Sequence, residues 1–406
     1  MLMNVVAGID WGTKRHMVVA VGEAAEVLFE AEVGHVGDEL MSACKRLQEF
    51  AAGGYVRVGL ERPRGVLVDL LLAHGFEVFA WNPKQTDRWR GAGSNSGAKD
   101  DRRDAAAIAD ALRCKPDFFR RVEADRPEVT ALKDLVAAID AKTRDMVTSK
   151  NRIGAALESL LPSLWRVLDL ETVWARELVK LIVEAPVPCR IRRNRIAKAI
   201  KGARKIDVDG IVGLLQRDAA TVTAATWPGA AVMAKAELLV LEQQRIAKTL
   251  LEAHRDQLMA SWLESQPLEA RRDIEIIKSM PGAGTNLVAT LMAFAWRSVR
   301  ERDREYLRCL GGAAPVTQAT GGRGKPRRAD VVQRRACNQH LREAFHHWGR
   351  VAVQRDKRSR ERYAALRARG HTHGRALRQL TDGLLRVLCA ALENGQPYDA
   401  HYAQAA

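Results

Sequence analysis

The chain has 406 residues, is 47% hydrophobic but only 5% aromatic, and carries a formal net charge of +16. That length supports two or three domains with largely aliphatic cores, and the positive excess calls for a polyanionic partner. Six scattered cysteines without a Cys-x-x-Cys pair argue against a zinc site or disulfide framework and for a reducing cytosolic compartment, while the absence of a signal-like N-terminus or of an apolar run near the ~18 residues of a membrane span predicts a soluble protein with no membrane partner.

Charge is unevenly distributed. Residues 1–60 carry five basic and eight acidic side chains, whereas residues 190–205 have eight basic and none acidic. The span 297–378 holds 22 basic against 7 acidic groups. An acidic N-terminal part and a basic C-terminal part are therefore expected to do different work.

In chain order, Val5 to Trp11, His16 to Gly22 and Val27 to Gly34 read as three strands joined by short turns. A helix over Asp38–Ala52, a strand over Tyr55–Glu61, a helix over Gly65–His74 and a strand over Phe76–Asn82 follow. This order predicts a five-stranded mixed sheet in which strand one lies beside strand four through a right-handed crossover. Asp10 and Glu61 then sit at neighbouring strand ends, on the carboxyl edge where open α/β sheets place their sites.

After a Gly/Ser loop, Gly91 to Gly97, comes Lys99-Asp100-Asp101-Arg102-Arg103-Asp104, which opens an alanine-rich helix. One aspartate suits a helix start as a cap, but three exceed what a cap needs. Asp101 and Asp104 stand at i and i+3 and leave the same helical face. Carboxylates held that close repel unless a cation lies between them, and a hard divalent ion bound through oxygen is the usual one. With Asp10 and Glu61 they make four acids, enough for two ions about 4 Å apart that polarise a phosphodiester.

From Leu132 a stripe of Leu132, Val136, Ile139, Thr143, Met146, Lys150, Ile153, Leu157, Leu160 and Leu164 alternates spacings of four and three, the pattern of a coiled-coil seam. A second helix, about Val232–Glu264, carries Leu239, Ile246, Leu250 and Ala253. An antiparallel helical hairpin is expected, interrupted by a segment with Pro186, Pro188 and the basic residues Arg190, Arg192, Arg193 and Arg195. Residues 274–294 read as helix, Pro281-Gly282-Ala283-Gly284 turn, helix, in which Gly282 and Gly284 let the backbone approach a phosphate. A small-residue loop, Val316 to Lys325, contains Thr320 amid Arg323, Lys325, Arg327 and Arg328, cations that would stabilise phosphoryl charge. Helices bearing Arg334, Arg335, Arg342 and Trp348 follow. The divisions are 1–125, 126–270 and 271–406.

Gly8-Ile9-Asp10, Glu61, Asp101-Arg102-Arg103-Asp104, and Pro281-Gly282-Ala283-Gly284 with Ala314-Pro315 before Thr320-Gly321 together resemble the insertion sequence one-ten family of transposases over nearly the whole chain. The resemblance implies a RuvC-like, RNase H-fold domain whose DEDD acids are Asp10, Glu61, Asp101 and Asp104, binding Mg²⁺ or Mn²⁺. It also implies a mainly helical C-terminal domain that supplies a hydroxyl nucleophile to a composite site. Members are bacterial, cytoplasmic and nucleoid-associated recombinases. They are directed by a structured bridge RNA to double-stranded donor and target DNA, and work as dimers assembled into tetramers. This sequence departs from the pattern in having Thr320 where the family has serine; its methyl group crowds an in-line attack and stiffens χ1.

Three rival readings use the same residues. Asp10-Trp11-Gly12-Thr13 resembles the first phosphate hairpin of sugar-kinase and actin-like ATPases, but no second such hairpin follows. A RuvC-like junction resolvase acting by hydrolysis shares the acids and needs no hydroxyl nucleophile. A purely nucleic-acid-binding protein would carry the acids as surface charge.

Overall fold

A computed structural model of the chain describes residues 4–61, 65–81, 89, 100–203, 207–320 and 328–399. They form two compact units, Met1–Arg126 and Pro127–Ala406.

The first unit is a mixed sheet between helices. Its strands are β1 (Val5–Trp11), β2 (Arg15–Val21), β3 (Val27–Gly34), β4 (Val56–Leu60), β5 (Glu77–Ala80) and β6 (Arg120–Val122), and its helices α1 (Gly37–Ala51), α2 (Val66–Ala73) and α3 (Asp101–Cys114). The strand order is β3-β2-β1-β4-β5-β6. As expected, β1 pairs antiparallel with β2 and parallel with β4. The sheet has six strands rather than five: β6 pairs antiparallel with β5. Arg120-Arg121-Val122 lacks the apolar alternation that marks a strand, and its Arg121 is instead held by Glu77 at 3.0 Å.

Side chains alternate across β1. Val5, Ala7 and Ile9 join Leu47, Leu67 and Leu71 in a core under α1 and α2. Val6 lies on the opposite face, with Ala105, Ile108 and Leu112 of α3. On that face Gly8 and Gly59 are direct register partners. A Cβ on Gly8 would stand 2.0 Å from the Ala105 carbonyl oxygen and 2.6 Å from the Ala109 nitrogen. A Cβ on Gly59 would stand 2.7 Å from Ile108. The two missing side chains are what let α3 lie directly on the strands.

Among the described residues the second unit is helical apart from one hairpin. Its long helices are α4 (Pro127–Leu157) and α8 (Trp227–Glu264), with α5 (Val173–Val183), α6 (Arg193–Ala199) and α7 (Val208–Arg217) between them. Leu132 and Val136 share a core with Met259 and Trp262. Met146, Ile153 and Leu157 share another with Trp227, Ala234 and Leu241. The start of α4 therefore meets the end of α8 and the reverse, so the pair is antiparallel; Arg152 and Glu237 bridge it at 3.1 Å. Along α4 the expected stripe is buried at most positions, but Thr143 is exposed. Along α8 the expected stripe is on the wrong face. Leu239, Ile246 and Leu250 are 63%, 55% and 57% exposed, and the buried side is Trp227, Ala231, Ala234, Leu238 and Leu241.

The segment between the long helices is itself a packed part of the core. Asp218, buried, accepts from the backbone N–H groups of Ser163 (3.0 Å) and Leu164 (3.1 Å), so one carboxylate satisfies the start of the helical turn Pro162–Trp165.

The C-terminal half comprises α9 (Leu268–Ser279), α10 (Thr285–Phe294), α11 (Trp296–Arg300), α12 (Arg304–Leu310), a hairpin of β7 (Pro315–Thr320) and β8 (Arg328–Gln333), then α13 (Gln339–Arg355), α14 (Lys357–Ala368) and α15 (His373–Asn394). The stretch read as a loop from Val316 is thus a strand through Thr320. Arg334 and Arg335 precede α13 rather than lying in a helix. Trp348 is buried and donates its indole N–H to the Pro281 carbonyl at 2.9 Å.

Gly8→Ala should displace α3, because backbone atoms block the new methyl; overpacking of this kind costs about 1–3 kcal/mol. Faster hydrogen exchange of the β1 and β4 amides is expected, with Gly37→Ala, which meets nothing within 4 Å, as the neutral control. Unchanged protection in Gly8→Ala would refute the packing argument.

Candidate active site and nucleic-acid interface

Asp10 and Glu61 each stand two residues beyond a glycine that α3 covers: Gly8-Ile9-Asp10 on β1 and Gly59-Leu60-Glu61 at the end of β4. Ile9 and Leu60 are register partners, so the two acids leave adjacent parallel strand ends on the α3 face. The helix begins at Asp101, one turn before Ala105, the residue against Gly8. Its first turn therefore lies at the same sheet edge, and its positive dipole end favours carboxylates there.

The three aspartates of that turn divide the work. Asp100 is the cap: its side chain accepts from the Arg103 N–H at 2.9 Å. Asp104 is buried, Asp101 is exposed, and neither is needed for capping. Arg102 reaches instead to Glu30 on β3.

All four acids are oxygen donors, the chemistry of a hard divalent cation. Among the described residues, however, no three His, Cys, Asp or Glu side chains are gathered into one ligand set. Topology brings the acids to one edge, and the side chains as placed do not converge on a single point.

A feature without a motif lies on the other face. His16, paired in register with Trp11, is 1% exposed, and its Nε2 lies 2.8 Å from His35 Nδ1. The Trp11 ring meets His16 edge-on at 4.9 Å. His16 Nδ1 is buried and has no hydrogen-bond partner among the described residues. Burial, and secondarily the neighbouring His35, hold the His16 pKa below the ordinary 6.5. The only signal in the sequence was an imidazole in an otherwise apolar strand.

In the second unit the basic residues fall into two classes. Arg302 forks onto Asp273, 2.7 Å to each oxygen, and Arg308 onto Asp382 at 2.9 and 3.1 Å. These bind the helices together. Arg190, Arg192, Arg193 and Arg195 are exposed, as are Arg335, Arg350, Arg355 and most basic residues of α14. Arg193 is engaged by Asp209 at 2.8 and 2.9 Å.

Gly282 (φ +77°) has a packing reason to be glycine, since a Cβ would stand 2.7 Å from the Ala352 nitrogen of α13. Gly284 caps α10 and faces open space, so of the two glycines it alone has room for a phosphate. Thr320 ends β7, opposite Arg328. Arg323, Lys325 and Arg327 lie outside the described residues. No helix among the described residues is long and apolar enough to cross a membrane.

Because the unfolded imidazole titrates near 6.5 and the folded His16 lower, the folded state prefers the neutral ring. This contribution is intact above pH 6.5 and is lost as pH falls from there through the folded pKa. His16→Gln should therefore lose less stability on acidification than the parent chain, measured by denaturant midpoints across that range. Equal losses would show that His16 does not titrate as described.

Residues 7–162 match the family model for an IS110-type DEDD transposase, described as Transposase, and residues 274–364 match the one described as Transposase IS116/IS110/IS902 family. The 44.8 kDa protein of insertion element IS116 from Streptomyces clavuligerus is 30% identical over 401 residues, 95% of this chain and 94% of that protein. The mini-circle putative transposase for IS117 of Streptomyces coelicolor is 25% identical over 98% of this chain and 96% of its own length. The 42 kDa protein of insertion element IS900 from Mycobacterium paratuberculosis is 26% identical over 98% of each. With both family segments in order and a relative matched over nearly its full length, this chain belongs to the IS110 family of transposases.

Proposed function

We propose that this transposase cuts and rejoins DNA strands with the carboxylates of Asp10, Glu61, Asp101 and Asp104 as its metal-binding set and Thr320 as its hydroxyl nucleophile. The observation that supports it most is the Gly8–Gly59 register pair, because Asp10 lies two residues further along β1 and Glu61 just past the end of the neighbouring β4. Asp100 already fills the capping role, so Asp101 and Asp104 need another reason to be there. Bound Mg²⁺ or Mn²⁺ would supply positive charge against the scissile phosphate.

The chain's own part is to position and to attack. Thr320 Oγ forms an ester to phosphorus while one P–O bond of the strand breaks, and the departing oxygen takes a proton. The exposed basic residues of Arg190–Arg195 and of α13–α14 would hold phosphate backbones without reading sequence, so affinity should fall steeply with salt. Sequence choice would then rest with base pairing to a bound bridge RNA. The assembly expected is a dimer or tetramer of this chain.

Asparagine or glutamine at any of the four acids should abolish cleavage of a DNA carrying the element ends while leaving the fold intact. Asp100→Ala should cost about 1 kcal/mol through the lost cap yet still cut. Thr320→Ala should lose the covalent protein–DNA adduct and Thr320→Ser should keep it. Cleavage by Thr320→Ala at the parental rate would favour the hydrolytic resolvase, and Asp100→Ala as inactive as Asp101→Ala would remove the acid assignment.

A further inference from the structure

Histidines and arginines of α13 and the start of α15 gather into a cluster that, among the described residues, no carboxylate pairs with. The rings of His346 and His373 have centroids 6.1 Å apart and planes at 86°, and the Tyr363 hydroxyl of α14 lies 2.7 Å from His373 Nδ1. Arg350 follows His346 by one turn on the same face of α13. Arg378 of α15 is half-buried, yet its one hydrogen-bond partner among the described residues is the neutral Gln333 side chain, at 3.4 Å. Desolvation, and then Arg375, hold the Arg378 pKa below its usual value, whereas the Asp273 carboxylate raises that of Arg302. A guanidinium drawn from water without a carboxylate is costly. His346 stands in the same field: desolvation first, then His347, His373, Arg350 and Arg378, push its pKa below 6.5. The carboxylates of the surrounding elements are engaged elsewhere. Glu343 and Asp140 act on His347 and bond to Gln339 and His340. Asp382 holds Arg304 and Arg308, Asp356 caps α14, and Glu361 lies 3.9 Å from Lys357. The other charged residues of α14 are all basic, and α10, which also packs on α13, has no titratable side chain.

We propose that His346, His373, Arg350 and Arg378 form a seat for one backbone phosphodiester of a nucleic-acid strand, and that His346 takes up a proton when the phosphate arrives. With Nδ1 facing the Tyr363 hydroxyl, His373 has Nε2 left for the ligand, and an anion selects the form in which that nitrogen carries hydrogen. His346 is neutral before binding because its neighbours are cations. A phosphate among them reverses the field, so the imidazolium becomes the preferred form. The sign of the linkage follows: where the occupied ring is charged and the empty one is not, each unit fall in pH strengthens binding, by up to about tenfold for one proton. Below the pKa of the empty site both rings are charged and the dependence disappears. A backbone diester is common to DNA and RNA, so the chemistry of the seat admits either strand.

The inference rests on the nucleic-acid binding proposed above and on none of its cleavage chemistry. Fluorescence anisotropy of the full chain at constant salt, with a labelled DNA duplex and with a labelled RNA hairpin, should show affinity for at least one falling between about pH 6 and pH 8. The probe that carries this dependence is the strand held here. His346→Gln should lose the dependence, and His254→Gln, an exposed histidine of α8, should keep it. At the acid end and not at the alkaline end, His346→Gln should also lower the slope of log affinity against log salt by about one phosphate contact; a general fold defect would change both ends alike. Arg378→Gln should weaken binding throughout the range. Calorimetry in buffers of different protonation enthalpy should show proton uptake with the nucleic acid and none with inorganic phosphate alone. Saturable uptake with inorganic phosphate would assign the site to the free ion and overturn the diester. Binding independent of pH, or an unchanged dependence in His346→Gln, would overturn the seat and leave nucleic-acid binding standing. No binding of either probe at any pH would overturn both.

Discussion

The contact on which the N-terminal unit depends is glycine against helix, Gly8 meeting the α3 backbone and Gly59 the Ile108 side chain. Gly8 and Gly59 present no side chain, and α3 rests where two Cβ atoms would be. A helix packed at ordinary distance would hold its first turn farther from the strand ends. Set this close, its start reaches the carboxyl edge of β1 and β4, and the same alternation that turns Gly8 and Gly59 towards the helix turns Asp10 and Glu61 that way two residues later. The sheet's period and one helix's approach bring the four acids to one edge without a long loop to carry them, though among the described residues their side chains are not gathered into one ligand set. Asp100 caps the helix start, while the packing of Ala105 and Ala109 on Gly8 holds the helix on the strands.

Most of this unit was legible because its signals are local. Val5–Trp11 and Val27–Gly34 are apolar runs bounded by turn residues, and the strand order follows from the lengths of the connections. The repeated spacing Gly-x-acid at Gly8–Asp10 and Gly59–Glu61 was also present, but its meaning requires knowing that one helix crosses both glycines. Arg120–Val122 was not legible as a strand, since its pairing comes from Glu77 and an available edge rather than from its own composition. The β7–β8 hairpin was missed for a related reason: Thr, Gln and Ala between Pro315 and Thr320 suit a strand only when a partner exists.

The long helix α8 shows a different limit. Two apolar stripes run along it one position apart, Leu238 beside Leu239 and Leu241 beside Val240. Periodicity identifies an amphipathic helix, and with two stripes it does not say which one the chain itself covers. Tertiary packing decided for Trp227, Ala231, Ala234, Leu238 and Leu241, which share a core with α4 and with the short helices inserted between α4 and α8. Gly282 is similar: Pro-Gly-x-Gly fits a phosphate loop and a tight turn equally, and the nearness of the α13 backbone settled the reason for that glycine.

Net charge needs the same correction for place. Summed over 297–378 the basic excess is large, yet Arg302 and Arg308 have their forks filled by Asp273 and Asp382 and act as internal ties. Among the described residues, what remains for a polyanion is concentrated at the end of α13 and on α14, a helix whose only buried residues are Ser359 and Leu366. A helix so polar gains little from core burial; its start is held by Asp356, which accepts from the Ser359 N–H at 2.7 Å. Arginine is a costly choice for such a helix on charge grounds, because Arg358, Arg360 and Arg362 repel one another. Nucleic-acid phosphates are the partner that turns this repulsion into attraction, so the charge pattern of α14 makes physical sense in the bound state more than in the isolated chain.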